Sequence, residues 1–251
     1  MASTKHDESG GDAATTMRRV WSLRSGWANG SFLARLDDSV LAALTGISEL
    51  VRFERDDVLT HQNQSGTDVF LLLTSYVKVT TVLPNRTRAL LAVRAGGDLI
   101  GELAALDGGV RTATVIACGA EPVEALRVDG ERFVDVLSSS PGALRMLSES
   151  VARKLRSATQ RRIDHQSGPP HVRLARVLVE MADDHGATPY GKAVVIKIDV
   201  TRLEWGSLIG VSKRTAERAI ASLRQAGLIG SGTKRITIHD LPRLRALAYP
   251  E

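Results

Sequence analysis

At 251 residues, 43% of them hydrophobic and only 4% aromatic, the chain can build one or two domains whose cores rest on aliphatic packing. A single cysteine, Cys118, excludes an intrachain disulfide, a cysteine-ligated iron–sulfur cluster and a cysteine-rich zinc site, which suits a reducing cytoplasm. The net charge of +5 is compatible with an anionic partner, no apolar run reaches membrane-spanning length, and the polar opening MASTKHDESGGD is no secretory signal.

Residues 1–29 are small, polar and without sustained period, so a disordered tail is expected there, with Trp21 and Trp27 as exceptions that tuck against the body. Leu33, Leu36, Val40, Leu41 and Leu44 then recur at helical spacing, predicting one or two short helices. From Leu50 to Val128 the texture is β. LVRFERDD, DVFLLLTSYVKVTTVL, RALLAVRAG, TATVIACG and VEALRV are short, rich in branched residues and divided by turn signals, with PNRT at Pro84–Thr87 as a hairpin tip. Strands of this kind predict a barrel, sandwich or roll.

Into that domain is set GDLIGELAALDGGVRTAT, Gly97–Thr114. Gly101 lets the backbone approach a ligand, and the amides opening a short helix, Glu102–Leu106, can face an anion. Arg111, beside the hydroxyls of Thr112 and Thr114, supplies a forked permanent charge suited to phosphate, while the Glu102 carboxylate suits a sugar hydroxyl. These residues describe a pocket for a sugar phosphate. The competing reading is a salt bridge between Arg111 and Glu102 on a β-domain loop.

DGERFVDVL, Asp129–Leu137, is a short helix, and a longer one follows from a Ser140 cap with Pro141 at its first position. Leu144, Leu147, Val151, Leu155 and Ala158 form an apolar stripe along that helix. Such stripes commonly lie on their own domain. A small β domain offers too little surface for so long a helix, so pairing with a second copy is expected. SGPP at Ser167–Pro170 breaks the helix as a hinge, HVRLARVLVEMADDHG resumes an amphipathic helix ending at Gly186, and GKAVVIKIDV reads as strand.

The last stretch, DVTRLEWGSLIGVSKRTAERAIASLRQAGLIG, predicts a helix from near Thr201, a turn at Ile209–Gly210–Val211, and a second helix capped by Ser212 and running to about Ala226. Small Gly206 lets the two helices cross closely, and Gly210 suits the turn. This is a helix-turn-helix, and GLIGSGTKRITIHD behind it supplies a two-stranded wing. Thr201–Glu251 holds nine Lys or Arg against four Asp or Glu, so the positive excess sits here. Lys213, Arg214, Thr215, Glu217 and Arg218 lie on the exposed face of the second helix. Arg214 and Arg218, one turn apart, can both read guanine in a major groove, while Lys213 and the wing residues Thr233, Lys234 and Arg235 suit phosphates.

Gly-Glu-Leu-Ala followed after a short gap by Arg-Thr-Ala-Thr resembles the phosphate-binding cassette of cyclic-nucleotide-binding domains. With the helix-turn-helix, the chain over about Asp37–Leu247 resembles transcription regulators of the cyclic-AMP receptor protein and fumarate–nitrate regulator superfamily. The resemblance implies an α+β fold. A cyclic-nucleotide-binding β-roll spans 30–139, a dimerisation helix 140–166 and a winged helix-turn-helix DNA-binding domain 167–251.

It further implies no catalytic residues and no metal. Gly101, Glu102, Leu103, Arg111, Thr112 and Ala113 would take the nucleotide, Glu102 on the ribose and Arg111 with Thr112 on the phosphate. On the long helix the family's Thr-Ser pair is Ala158-Thr159 here, leaving Thr159 alone to reach the base. The implied effector is cyclic AMP or a related cyclic nucleotide. The implied partners are a second copy and a palindromic double-stranded operator, with RNA polymerase a further candidate and no membrane. Arg214 stands where the cyclic-AMP receptor protein has Glu, which predicts a different operator.

Two departures concern turns: Ser75-Tyr76 and Asp56-Asp57 replace glycines common in the family. Alternatives are DNA binding without a nucleotide and a cyclic dinucleotide effector helped by Arg88 or the basic helix Arg153–Arg162. A phosphate-ligand enzyme lacks a nucleophile beside a base, a P-loop or clustered metal ligands; His165, His171 and His185 are irregularly spaced and stay unassigned.

Overall fold

The computed structural model describes residues 13–84, 86–166, 168–184, 189–190, 193–232 and 234–250. Residues 1–12 of the expected tail, and the predicted Ser167, His185, Gly186 and Thr233, lie outside them. Residues 13–29 correct the tail expectation, except that Trp21 and Trp27 pack against the body as expected. Ala13–Arg24 (α1) is a helix with Val20 buried, and Trp27 is buried and donates its indole N–H to the Leu73 carbonyl at 2.9 Å. Arg19 grips Glu124 through two bonds of 2.9 and 3.1 Å. The segment is weakly periodic because only one edge of it is covered, and tertiary contacts rather than its own pattern order it.

Phe32–Arg35 (α2) and Asp38–Gly46 (α3) follow, the latter burying Val40, Leu41 and Leu44 as their spacing predicts. The β unit comprises Glu49–Phe53 (β1), Val58–Thr60 (β2), Val69–Leu72 (β3), Tyr76–Val82 (β4), Arg88–Ala95 (β5) and Leu99–Ile100 (β6). After the helix Glu102–Asp107 (α4) come Thr114–Ala117 (β7) and Val123–Val128 (β8). They form two four-stranded sheets in the orders β1-β8-β3-β6 and β2-β7-β4-β5, every pairing antiparallel. Phe70, Leu72, Val77, Val115 and Ala125 pack in the core between them.

Both turn departures are absorbed by left-handed backbone on non-glycine residues, Asp56 at φ 71° and Ser75 at φ 61°. Asp57 steadies the first turn by accepting the Glu54 amide at 2.7 Å. The run DVFLLLTSYVKVTTVL therefore splits at Ser75 into β3 and β4.

Gly130–Ser138 (α5) leads into Pro141–Asp164 (α6), whose Ser140 hydroxyl caps the Ala143 amide. The α6 stripe divides. Leu147 is buried, and Val151 half-buried, in the same core as Phe133 and Leu137, so these two serve their own domain and correct the expectation of a single partner-facing row. Leu144, Leu155 and Ala158 stay exposed, with Ile163 beyond them.

The C-terminal unit has Pro170–Asp184 (α7), Pro189–Tyr190 (β9), Ala193–Ile196 (β10), Arg202–Leu208 (α8), Lys213–Gln225 (α9), Ile229–Gly232 (β11), Arg235–Ile238 (β12) and Leu241–Ala248 (α10). Thr201 and Glu204 cap α8 reciprocally, and Ser212 caps α9. A Cβ on Gly206 would lie 2.7 Å from the Val211 carbonyl oxygen, and Gly210 has φ 68°, so both glycines play the parts expected of them. Strands β11-β12-β10-β9 form the wing sheet.

Because Trp27 is docked, Trp27→Ala should destabilise the protein by about 3 kcal/mol in urea unfolding. A change below about 0.5 kcal/mol would show that the segment contributes nothing.

Candidate ligand pocket and nucleic-acid interface

Gly101 is the geometric key to the cassette. It caps α4 with φ 91°, and a Cβ there would stand 2.4 Å from Arg111 Nη1 and 2.6 Å from the Asp68 carbonyl oxygen. The missing side chain makes room for Arg111 to fold back across the turn. Its Nη1 donates to the Gly101 carbonyl at 3.2 Å and its Nη2 to the Asp68 carbonyl at 2.7 Å. Backbone bonds fix the same residue from behind: its amide donates to the Gln64 carbonyl at 2.9 Å, and its carbonyl accepts from the Asn63 amide at 2.8 Å.

Arg111 is 7% exposed, and among the described residues no carboxylate comes within ion-pair distance of its guanidinium. Burial lowers its pKa, and the fields of Asp68 and Glu102 oppose that shift. A buried cation bonded only to carbonyls is a site that an anion would stabilise.

Glu102 answers the competing reading. It is 6% exposed and pairs not with Arg111 but with Lys154 of α6, whose Nζ lies 3.1 Å from Oε1. Lys154 also donates to the Leu99 carbonyl at 2.7 Å and lies 3.4 Å from Asp98. Sequence reading did not pair Lys154 with Glu102, since it sits 52 residues away within the basic stretch Arg153–Arg162, read only as a helper for a dinucleotide. Arg94 was missed too, because in RALLAVRAG it reads as one polar position of a strand.

A cavity of about 170 Å³ joins these groups. Gly101, Glu102, Leu103, Arg111, Thr112 and Ala113 all line it, with Val79, Ala92 and Arg94 of the β4–β5 hairpin as its wall. Two residues fall elsewhere. Thr114 is buried, and its hydroxyl is taken by the Gln62 amide at 3.0 Å. Thr159 is exposed on α6, outside the lining.

At the other end of the molecule α9 presents a basic face. Lys213, Arg214 and Arg218 are exposed, and none makes an ion pair among the described residues. Its other face buries Ala216, Ala219, Ile220 and Leu223 against α7 and α8, which fixes which side chains point outward. Ser212 is taken up by capping: its hydroxyl accepts the Thr215 amide at 3.3 Å. On the wing Arg235 is exposed, whereas Lys234 pairs with Asp199 at 3.2 Å.

A phosphate-type pocket in a β-roll, joined by one long helix to a winged helix-turn-helix, defines a regulator that binds DNA and carries a cyclic-nucleotide-binding domain. Residues 50–140 match the cyclic nucleotide-binding domain family and 172–247 the Crp-like helix-turn-helix domain family. The chain belongs to the Crp/Fnr superfamily of transcription regulators, and its relatives are regulators rather than enzymes.

It is 27% identical over 209 residues to the CRP-like cAMP-activated global transcriptional regulator of Mycobacterium tuberculosis, covering 83% of this chain and 92% of that one. Against the cAMP-activated global transcriptional regulator CRP of Salmonella typhimurium the identity is 25% over 189 residues, covering 75% and 88%. The fold matches FixK2 of Bradyrhizobium japonicum with a TM-score of 0.69 at 19% identity, covering 82% and 99%. It also matches the c-di-GMP responsive regulator CLP of Xanthomonas campestris with a TM-score of 0.65 at 16% identity, covering 81% and 99%.

Gly101→Ala should cost more than about 1 kcal/mol and dislodge Arg111, because φ and space both forbid the methyl. Gly142→Ala, in helix α6 with only the Ser140 hydroxyl at 4.0 Å, is the matched control and should be stabilising by up to about 1 kcal/mol in the same thermal unfolding experiment.

Proposed function

We propose that this regulator is a homodimer whose sequence-specific DNA binding is set by a cyclic nucleotide, cyclic AMP first among them, held in the Arg111 cavity. The observation that carries the reading is the buried Arg111 guanidinium, bonded among the described residues only to carbonyls, in one cavity with the buried carboxylate of Glu102. In this reading the cyclic phosphate displaces the carbonyl bonds of Arg111 and meets Thr112 and the Ala113 amide. The ribose hydroxyl donates to Glu102, and Leu103 covers the ligand. The names of the relatives from Mycobacterium tuberculosis and Salmonella typhimurium, both cAMP-activated, support cyclic AMP as the first ligand to try.

Leu144, Leu155 and Ala158, exposed along α6, are the proposed seam between two copies. Thr159 on the same face would reach a base only across that seam. Two α9 helices would then enter successive major grooves of a palindrome about one helical turn apart. There Arg214 and Arg218 would read guanines while Ser212, Lys213, Thr215, Lys234 and Arg235 hold the backbone. Lys234 must first leave Asp199. RNA polymerase as a partner and a cytoplasmic location go with this role.

A cyclic dinucleotide is the second reading. A further cavity of about 230 Å³ adjoins the first and shares Arg94 and Lys154 with it, adding Arg153, Ser150 and Ser157.

Isothermal titration with cyclic AMP, cyclic GMP and cyclic di-GMP decides between them. Micromolar binding of cyclic AMP, weakened at least a hundredfold in Arg111→Ala, is expected. Equal affinity in that variant would refute the site, and binding of cyclic di-GMP alone would establish the second reading. On selected DNA, Arg214→Ala should cost about 1–3 kcal/mol and relax one guanine position, whereas Lys213→Ala should weaken all sequences alike.

A further inference from the structure

The face of α6 that turns toward its own domain carries more charge than Lys154. Ser150 and Arg153 stand about one turn apart on that helix, so their side chains share a face. Opposite them runs the segment between α1 and α2, with Gly30 and with Ser31 at the start of α2. A Cβ on Gly30 would lie 3.9 Å from Arg153 Nη1, which puts the guanidinium against that turn. Ser31, Ser150 and Arg153 all line the cavity of about 230 Å³ that lies between the two segments.

None of these three polar groups has found a partner among the described residues. Arg153 is half-buried and makes no ion pair or hydrogen bond there. Ser31 Oγ is buried and unbonded. Ser150 is only 2% exposed, and its hydroxyl is likewise unbonded. A buried hydroxyl without a partner costs stability that a bound acceptor restores.

The remaining charges on the lining are already compensated. Asp98 lies 3.3 Å from Arg94 and 3.4 Å from Lys154, and Glu180 lies 3.0 Å from Arg161. The Ser157 hydroxyl is taken by Glu180 and Arg161. Three cations, Arg94, Arg153 and Lys154, thus face two carboxylates, Asp98 and Glu180, and Arg153 is the one left over.

We propose that this cavity is a second ligand site, specific for a small phosphate (the free ion or a short monoester), held by the Arg153 fork with the Ser31 and Ser150 hydroxyls as further donors. Three donor groups arriving from two chain segments suit a group with at least three free oxygens, whereas a carboxylate offers only two. Volume sets the size of the ligand. A cavity below the roughly 300 Å³ at which small-molecule pockets begin holds a phosphate and little more. The site asks nothing of Arg111, so it stands apart from the nucleotide reading and from a dinucleotide laid across both cavities. A bound phosphate would tie the turn at Gly30–Ser31 to α6 and stabilise the folded chain by mass action.

The test is calorimetric titration of the full chain carrying Arg111→Ala, so that the first cavity contributes no guanidinium of its own. The probes, at constant ionic strength, are inorganic phosphate, glycerol 3-phosphate and malonate. One phosphate probe per chain should bind with a Kd of about 1 mM or tighter, and malonate at least about tenfold more weakly. Adding Arg153→Gln should weaken phosphate at least about tenfold, and Arg153→Lys, which keeps the charge without the fork, should fall between. Ser150→Ala separates binding from folding. Alanine suits a helix better than serine, so this variant should melt no lower than its parent in phosphate-free buffer yet bind phosphate at least about threefold more weakly.

Glycerol 3-phosphate binding more tightly than inorganic phosphate would identify a monoester as the occupant, and any other order the free ion; both support the site. No saturable phosphate binding, or binding unchanged by either Arg153→Gln or Ser150→Ala, would overturn it. Malonate bound as tightly as phosphate would overturn the assignment to phosphate.

Discussion

A buried guanidinium with no carboxylate partner among the described residues is the constraint on which the site depends. Removing a charge from water is costly unless something of opposite sign or strong dipole replaces the water. For Arg111 the replacement is two backbone carbonyls, those of Gly101 and Asp68, aimed by a left-handed glycine. Carbonyl dipoles suffice to hold the charge in place but not to neutralise it. The surrounding fold, from the capped helix α4 to the backbone bonds that pin residue 111 to Asn63 and Gln64, keeps that charge accessible to a small anion.

The neighbours of that charge connect it to the rest of the molecule. Glu102 is tied through Lys154 to α6, the helix that leads toward the hinge. The opposite wall is the hairpin whose back surface holds α8. Whatever enters the cavity therefore meets two elements that lead to the DNA-binding unit, one running along the chain and one across a single sheet layer.

Much of this was legible in the sequence, and the omissions have physical causes. The β domain, the long helix and the winged helix-turn-helix follow from periodicity, caps and turn glycines, because those signals are local; that the β domain is a roll is what the resemblance of the cassette implies. Gly101, Glu102 and Arg111 were legible as a set because they lie within one short cassette. Lys154 and Arg94 were not, since their roles arise from contacts between elements distant in the chain. The helix Ala13–Arg24 was misjudged for the same reason: it is held by contacts distant in the chain, such as Arg19 with Glu124. The division of the α6 stripe, with Leu147 turned inward and Leu155 outward, depends on how far the β-roll reaches along the helix. Spacing alone does not record that distance.

The most direct test of the central claim is the side-chain Nε resonance of Arg111 in nitrogen-15-labelled protein, assigned by loss in Arg111→Lys and followed as cyclic AMP is added. A large shift of Arg111 that saturates with the calorimetric binding curve, with Arg176 unmoved as an internal control, is the predicted result. Binding detected by heat while the Arg111 resonance stays in place would contradict the account and put the anion elsewhere.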